Sequence, residues 1–178
     1  MMANPITITL IEQAMVKALT YENQVRDVYR EACGLTKDPI GLKIFGVLAE
    51  EEQSHVDYLE AKLEALRSSG EVVAGELRTA LPSPEVIRAG IAALRSELTP
   101  VADRETEQSL LLKAVSMEKE TSDFYHAMVR ELPPEGQAFF RPFLAIEDGH
   151  VVIVQAELDS VTGLGFWFDY QEFDLEAG

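Results

Sequence analysis

Glu52 and His55 stand three apart in the run Ala49-Glu50-Glu51-Glu52-Gln53-Ser54-His55. On a helix that spacing puts both side chains on one face, one turn apart. Ninety-five residues later Glu147 and His150 repeat the pair, and Glu22 and Glu118 lie about thirty residues before each. Carboxylates and imidazoles together make a mixed hard and borderline donor set, which suits iron or manganese better than calcium. The expected chemistry is that Glu22, Glu52, His55, Glu118, Glu147 and His150 close around two metal ions.

Four helices are needed to bring these residues together. From about Thr9 to Ala32, the positions Ile11, Met15, Ala18, Glu22, Val25 and Tyr29 form a near-heptad stripe in which one member is a glutamate. Gly34 and Asp38-Pro39 mark a turn and a new start. The second helix is predicted over about Pro39–Ser68, with Phe45, Leu48, Glu52, His55, Leu59 and Leu66 on its stripe. The third spans about Asp103–Glu131, with Leu111, Ala114, Glu118, Thr121, Tyr125 and Met128. Pro133-Pro134 breaks it, and the fourth spans about Glu135–Ser160, with Phe140, Phe143, Glu147, His150, Val154 and Leu158.

Ser69-Gly70 closes the second helix. The connector to about residue 102 is long for a helix–helix turn and holds a short helix predicted over Pro84–Leu98, capped by Ser83. A helix of about 27 residues is about 40 Å long, so a connector of this size suits a crossover along a bundle. The expected fold is all-α: an antiparallel four-helix bundle over residues 1–160 with a long crossover between helices two and three. The tail, 161–178, is aromatic and acidic together and is expected to fold back on the bundle or on a partner chain.

The two halves repeat. Tyr21-Glu22 through Tyr29 aligns with Met117-Glu118 through Tyr125 at an offset of 96, matching glutamate, aspartate and tyrosine, while Glu52 and His55 align with Glu147 and His150 at an offset of 95. So long a period excludes a solenoid and implies a bundle with a pseudo-twofold axis through a shared site. Each of the four glutamates falls on an apolar stripe, where a lone carboxylate costs several kcal/mol unless it is paired or neutralised. Two divalent cations would offset four carboxylates charge for charge, leaving two neutral imidazoles as further ligands.

The chain resembles the rubrerythrin branch of the ferritin-like superfamily over roughly residues 9–160. The resemblance rests on Leu48-Ala49-Glu50-Glu51-Glu52-Gln53-Ser54-His55, on Met117-Glu118-Lys119-Glu120-Thr121 running into Phe124-Tyr125, and on Ala145-Ile146-Glu147-Asp148-Gly149-His150. One glutamate from each of two helices and Glu-x-x-His from each of two others is the ferritin-like di-iron or di-manganese pattern. The resemblance implies that Glu52 and Glu147 bridge or chelate the metals, that Glu22 and Glu118 are terminal ligands, and that His55 and His150 hold one iron each. Tyr29 and Tyr125 would hydrogen-bond the ligand carboxylates.

The implied activity is a di-iron oxidoreductase that reduces hydrogen peroxide or dioxygen, or oxidises ferrous iron. The alternative is an iron-binding or storage protein without redox turnover, and manganese or a mixed pair also satisfies the donor set. Two departures from the family matter. Its additional glutamate near the third-helix ligand is replaced by Thr121, with Glu120 pointing about 200° away from Glu118. The resemblance extends to no rubredoxin domain within these residues, so electrons are expected from a separate donor protein.

Other residues have plainer roles. Glu50 and Glu51 are expected to be solvated, His126 to lie at the surface, and Asp27 and Asp123 to be solvated or capping. Pro142 and Gly149 are expected to bend the fourth helix. Cys33, the sole cysteine, allows no internal disulfide and no Cys-x-x-Cys site. With 31 Asp and Glu against 15 Lys and Arg, the net charge of −16 argues against nucleic acid and anionic membrane partners. No signal-like start and no apolar run of membrane-spanning length are present. A cytoplasmic homodimer is the expectation.

Overall fold

Among the described residues of the computed structural model (5–37, 39–77, 79 and 105–162), all regular structure is helical. The helices are α1 (Pro5–Leu35), α2 (Pro39–Ser69), α3 (Glu105–Glu131) and α4 (Pro134–Thr162). Three of them begin on proline, whose missing N–H is not needed in the first turn and whose fixed φ suits it. This explains why α1 starts earlier than the apolar pattern indicated: Pro5 opens it, although Ile6 is largely exposed. Gly70 ends α2 with φ at +69° and donates its N–H to the Leu66 carbonyl at 2.8 Å, a left-handed cap open to glycine at little cost. Arg67 and Arg130 lie in the last turns of α2 and α3, and Glu105 and Glu107 in the first turn of α3, each with the sign that the helix dipole favours.

Contacts between the helices fix their directions. Tyr29 meets Glu118 and Glu22 meets Tyr125, so α1 and α3 run antiparallel. His150 approaches Glu52 and His55 approaches Glu147, so α2 and α4 are antiparallel as well. Near the start of α1, Glu12 accepts from Arg67 at the end of α2. Beyond the end of α1, Thr36 donates to Glu107 at the start of α3. The end of α2 and the start of α3 therefore lie at opposite ends of the assembly. The short helix expected over Pro84–Leu98, and most of the 161–178 tail, fall outside the described residues.

The stripes read from the sequence are the buried faces. Every stripe position named above on α1, α2 and α4 is buried, and on α3 only Met128 is half-buried. The core divides into two apolar layers. One contains Val25, Tyr29, Phe45, Leu48, Leu111 and Val154. The other contains Met15, Leu59, Tyr125, Phe139, Phe140 and Phe143. The glutamate and histidine positions fall between them on all four helices, so the chain seals the polar level with hydrocarbon on both sides.

Pro142 and Gly149 sit inside α4, which continues through both. Pro142 supplies no N–H to the carbonyl of residue 138. A Cβ built on Gly149 meets nothing within 4 Å, so no close approach requires glycine there. Gly149→Ala is therefore expected to stabilise the fold by about 0.5–1 kcal/mol, the usual helix-interior difference, read as a raised denaturation midpoint. A lowered midpoint would show that the helix needs its freedom at this turn.

Candidate metal centre

All six residues singled out by spacing reach one place. Glu22 comes from α1, Glu52 and His55 from α2, Glu118 from α3, and Glu147 and His150 from α4, and each has no solvent exposure. His55 Nδ1 lies 3.1 Å from Glu22 Oε2, 3.3 Å from Glu147 Oε1 and 3.5 Å from Glu52 Oε2. His150 Nδ1 lies 2.7 Å from Glu52 Oε1, 3.8 Å from Glu118 Oε1 and 3.9 Å from Glu147 Oε2. The two imidazoles stack with centroids 5.5 Å apart and planes 14° from parallel.

Two donor groups emerge, each with its atoms within 4.8 Å of one another: Glu22, His55 and Glu147 in one, and Glu52, Glu118, Glu147 and His150 in the other. Glu147 belongs to both. The contacts also obey the repeat: His55 with Glu147 mirrors His150 with Glu52, and Tyr29 with Glu118 mirrors Tyr125 with Glu22. Each tyrosine hydroxyl donates across the bundle to the glutamate of the opposite half. Such a bond fixes the carboxylate's rotamer and leaves its other oxygen free to face the centre.

The convergence is not satisfied by hydrogen bonds. Both oxygens of Glu52 and of Glu147, Glu118 Oε2, His55 Nε2 and both nitrogens of His150 are buried without a partner. His150 Nδ1 and Glu52 Oε1 approach to 2.7 Å without forming a regular hydrogen bond. Buried polar atoms are nearly always paired, so so many unpaired acceptors at one point need another species to satisfy them. Cations fit the donor set: oxygens and imidazole nitrogens, aimed inward, in a space walled by Phe143 and the tyrosines.

Without a cation, protons take up the charge. Burial, with the neighbouring Glu52 charge adding to it, pushes the Glu22 carboxyl from 4.5 up to about 8. Burial and the Glu52 charge raise Glu118 well above the carboxylate range, and burial with the charges of Glu22 and Glu52 does the same for Glu147. Burial also disfavours charge at Glu52, but the imidazoles of His150 and His55 outweigh it and hold Glu52 well below that range. At His55 burial would depress the pKa, but the Glu22 and Glu52 carboxylates overcome it and raise it well above 6.5. Burial and the carboxylates they face also raise both tyrosines well above 10, so their hydroxyls keep their protons and donate.

No family model, curated protein or solved structure matches the chain. The centre is therefore read from its own geometry.

One expectation is overturned. Glu51 is buried, at 6% exposure, rather than solvated. The segment after α2 folds back over that helix: the Tyr58 hydroxyl bonds to Gly75, and Thr79 Oγ1 donates to Glu51 Oε2 at 2.6 Å. Glu51 also brings an oxygen within 4.8 Å of ring nitrogens of His55 and His150. Its nearness to His55 follows from their four-residue spacing on α2, whereas its burial comes from the covering segment. Glu50, Asp27, Asp123 and His126 are exposed. Thr121 is buried and donates to the Met117 carbonyl at 3.0 Å, while Glu120 is exposed, so neither supplies a carboxylate to the centre.

These shifts set a pH dependence for the metal-free protein. Glu22 keeps its proton in the fold up to about pH 8 but loses it near 4.5 when unfolded. Its stabilising contribution is complete below pH 4.5 and is lost as pH rises towards 8. Glu118, Glu147 and His55 shift in the same direction, and Glu52, shifted oppositely, is fully ionised above 4.5. The metal-free melting midpoint is expected to fall between pH 5.5 and pH 8, and saturating divalent cation should abolish that fall. A midpoint rising with pH in the metal-free protein would contradict the assignment.

Proposed function

We propose that this protein is a di-metal carboxylate protein of the ferritin-like, rubrerythrin type, holding two iron ions and reducing hydrogen peroxide or dioxygen, or oxidising ferrous iron. One observation carries the reading: four glutamates and two histidines, all sealed from solvent, converge with most of their inward atoms unpaired. The opposite-end placement of the α2 terminus and the α3 start suits the crossover of a ferritin-like bundle. No described helix is long and apolar enough to cross a membrane.

In this reading Glu22, His55 and Glu147 would hold one ion, and Glu52, Glu118, Glu147 and His150 would hold the other. Glu147 would contribute to both positions, and Glu52, whose two oxygens face His150 and His55 separately, would do so too. Two ferrous ions there would supply one electron each to a small oxidant. The chain does the rest. Phe143, packed 5.6 Å from His55 and 4.5 Å from Tyr125, keeps water from the centre. Tyr29 and Tyr125 steady the terminal carboxylates, and their hydroxyl protons lie nearest to Glu118 and Glu22 as these change charge. Glu22, protonated to about pH 8 without metal, must release its proton as a cation enters, so loading strengthens with pH. Thr121 donates to the Met117 carbonyl and offers no carboxylate, so the additional glutamate ligand of the family would have no counterpart there.

Two measurements test the function. Anaerobic iron titration should saturate at two per chain, and Glu52→Ala or Glu147→Ala should lose both ions; loss of one alone would remove the bridging role. Stopped-flow mixing of the ferrous protein with peroxide should oxidise both ions in one fast phase. Slow oxidation with many irons taken up per chain would instead establish storage.

A further inference from the structure

The six ligands have no exposure, so a cation needs a route to them. The Nδ1 edges of His55 and His150 face the carboxylates. Their opposite nitrogens, Nε2, are buried without a hydrogen-bond partner. Glu51 brings a carboxylate oxygen within 4.8 Å of ring nitrogens of both. Unlike the six, Glu51 retains slight exposure, and it accepts a hydrogen bond from Thr79, which is exposed on the segment after α2.

We propose that Glu51, with the Nε2 atoms of His55 and His150, forms a third cation position through which a divalent first-row metal passes into the centre. One carboxylate and two imidazoles suit ferrous iron, manganese or cobalt. A neutral imidazole has a single lone pair, at Nε2 in one tautomer and at Nδ1 in the other. Each ring can therefore hold a cation outside or inside, but not both at once. The outer position is a stage of loading, and the filled protein still holds two ions. A carboxylate beside the two imidazoles also raises the local cation concentration. The inference rests on the two-ion reading of the six ligands.

Cobalt(II) is the probe, followed by its visible absorbance in a stopped-flow instrument and by equilibrium dialysis of the full chain. Wild type and Glu51→Gln are both expected to end with two cobalt ions per chain, with Glu51→Gln loading about ten-fold or more slowly. Glu51→Asp, which keeps the charge on a shorter stem, should recover part of the rate, and it carries the test if the glutamine variant loses its helical circular dichroism. Equal rates in wild type and variants overturn the third position and leave the six-ligand centre standing. Weakened equilibrium binding at an unchanged rate also overturns it, because Glu51 would then only brace the rings. A wild-type protein that binds fewer than two cobalt ions overturns the six-ligand reading and this inference with it.

Discussion

Four carboxylates share a space that water does not reach, and the rest of the structure answers to that constraint. Like charges so close in a low-dielectric interior cannot all ionise unaided. Without metal, Glu22, Glu118 and Glu147 are pushed towards their protonated forms, while Glu52 keeps its charge by leaning on two imidazoles. Such a level is tolerated because apolar layers above and below it hold the helices in register. The tyrosines then direct their hydroxyls to Glu118 and Glu22, whose other oxygens are left unpaired in Glu118 and beside the His55 imidazole in Glu22. A fold that only needed stability would have filled these positions with leucine.

The repeat in the chain becomes an exchange of partners in space. Residues about 95 apart occupy matched places, and each half of the molecule holds the other's ligand: Tyr29 of the first holds Glu118 of the second, and Tyr125 returns the contact to Glu22. The halves are not identical. Glu147 belongs to both donor groups, whereas Glu52 falls in only one, and Glu51 borders the histidines from the first half alone. Asp148 follows Glu147 as Gln53 follows Glu52, but Asp148 is engaged at the surface by Ser122 and His126. The symmetric part of the site is the set of inward ligands, and the asymmetry lies in what covers them.

Much of this was legible because helical periodicity marks a buried face, and a glutamate on such a face stands out. Glu22 between Ala18 and Val25, and Glu118 between Ala114 and Thr121, needed no structure to be singled out. Glu51 was misjudged because its burial comes from a segment distant in sequence: the chain around Gly75 and Thr79 lies over α2, and no pattern within α2 encodes that cover. The crosswise pairing of the tyrosines was likewise beyond the sequence. Spacing placed Tyr29 on the face of Glu22, but the antiparallel packing of α1 on α3 sends its hydroxyl to Glu118. The contact between Thr36 and Glu107 at the start of α3 depends on how the helix ends meet, and neither residue carries a local signal for it.

The central claim is that the six buried residues hold two metal ions side by side. Anomalous scattering from crystals of the iron-loaded protein tests it directly. Two peaks about 3.5–4 Å apart are expected, at the level of Glu52 and Glu147, with both carboxylates in contact with both peaks. A single peak, or peaks only at surface carboxylates with the six side chains placed as described above, would contradict the account.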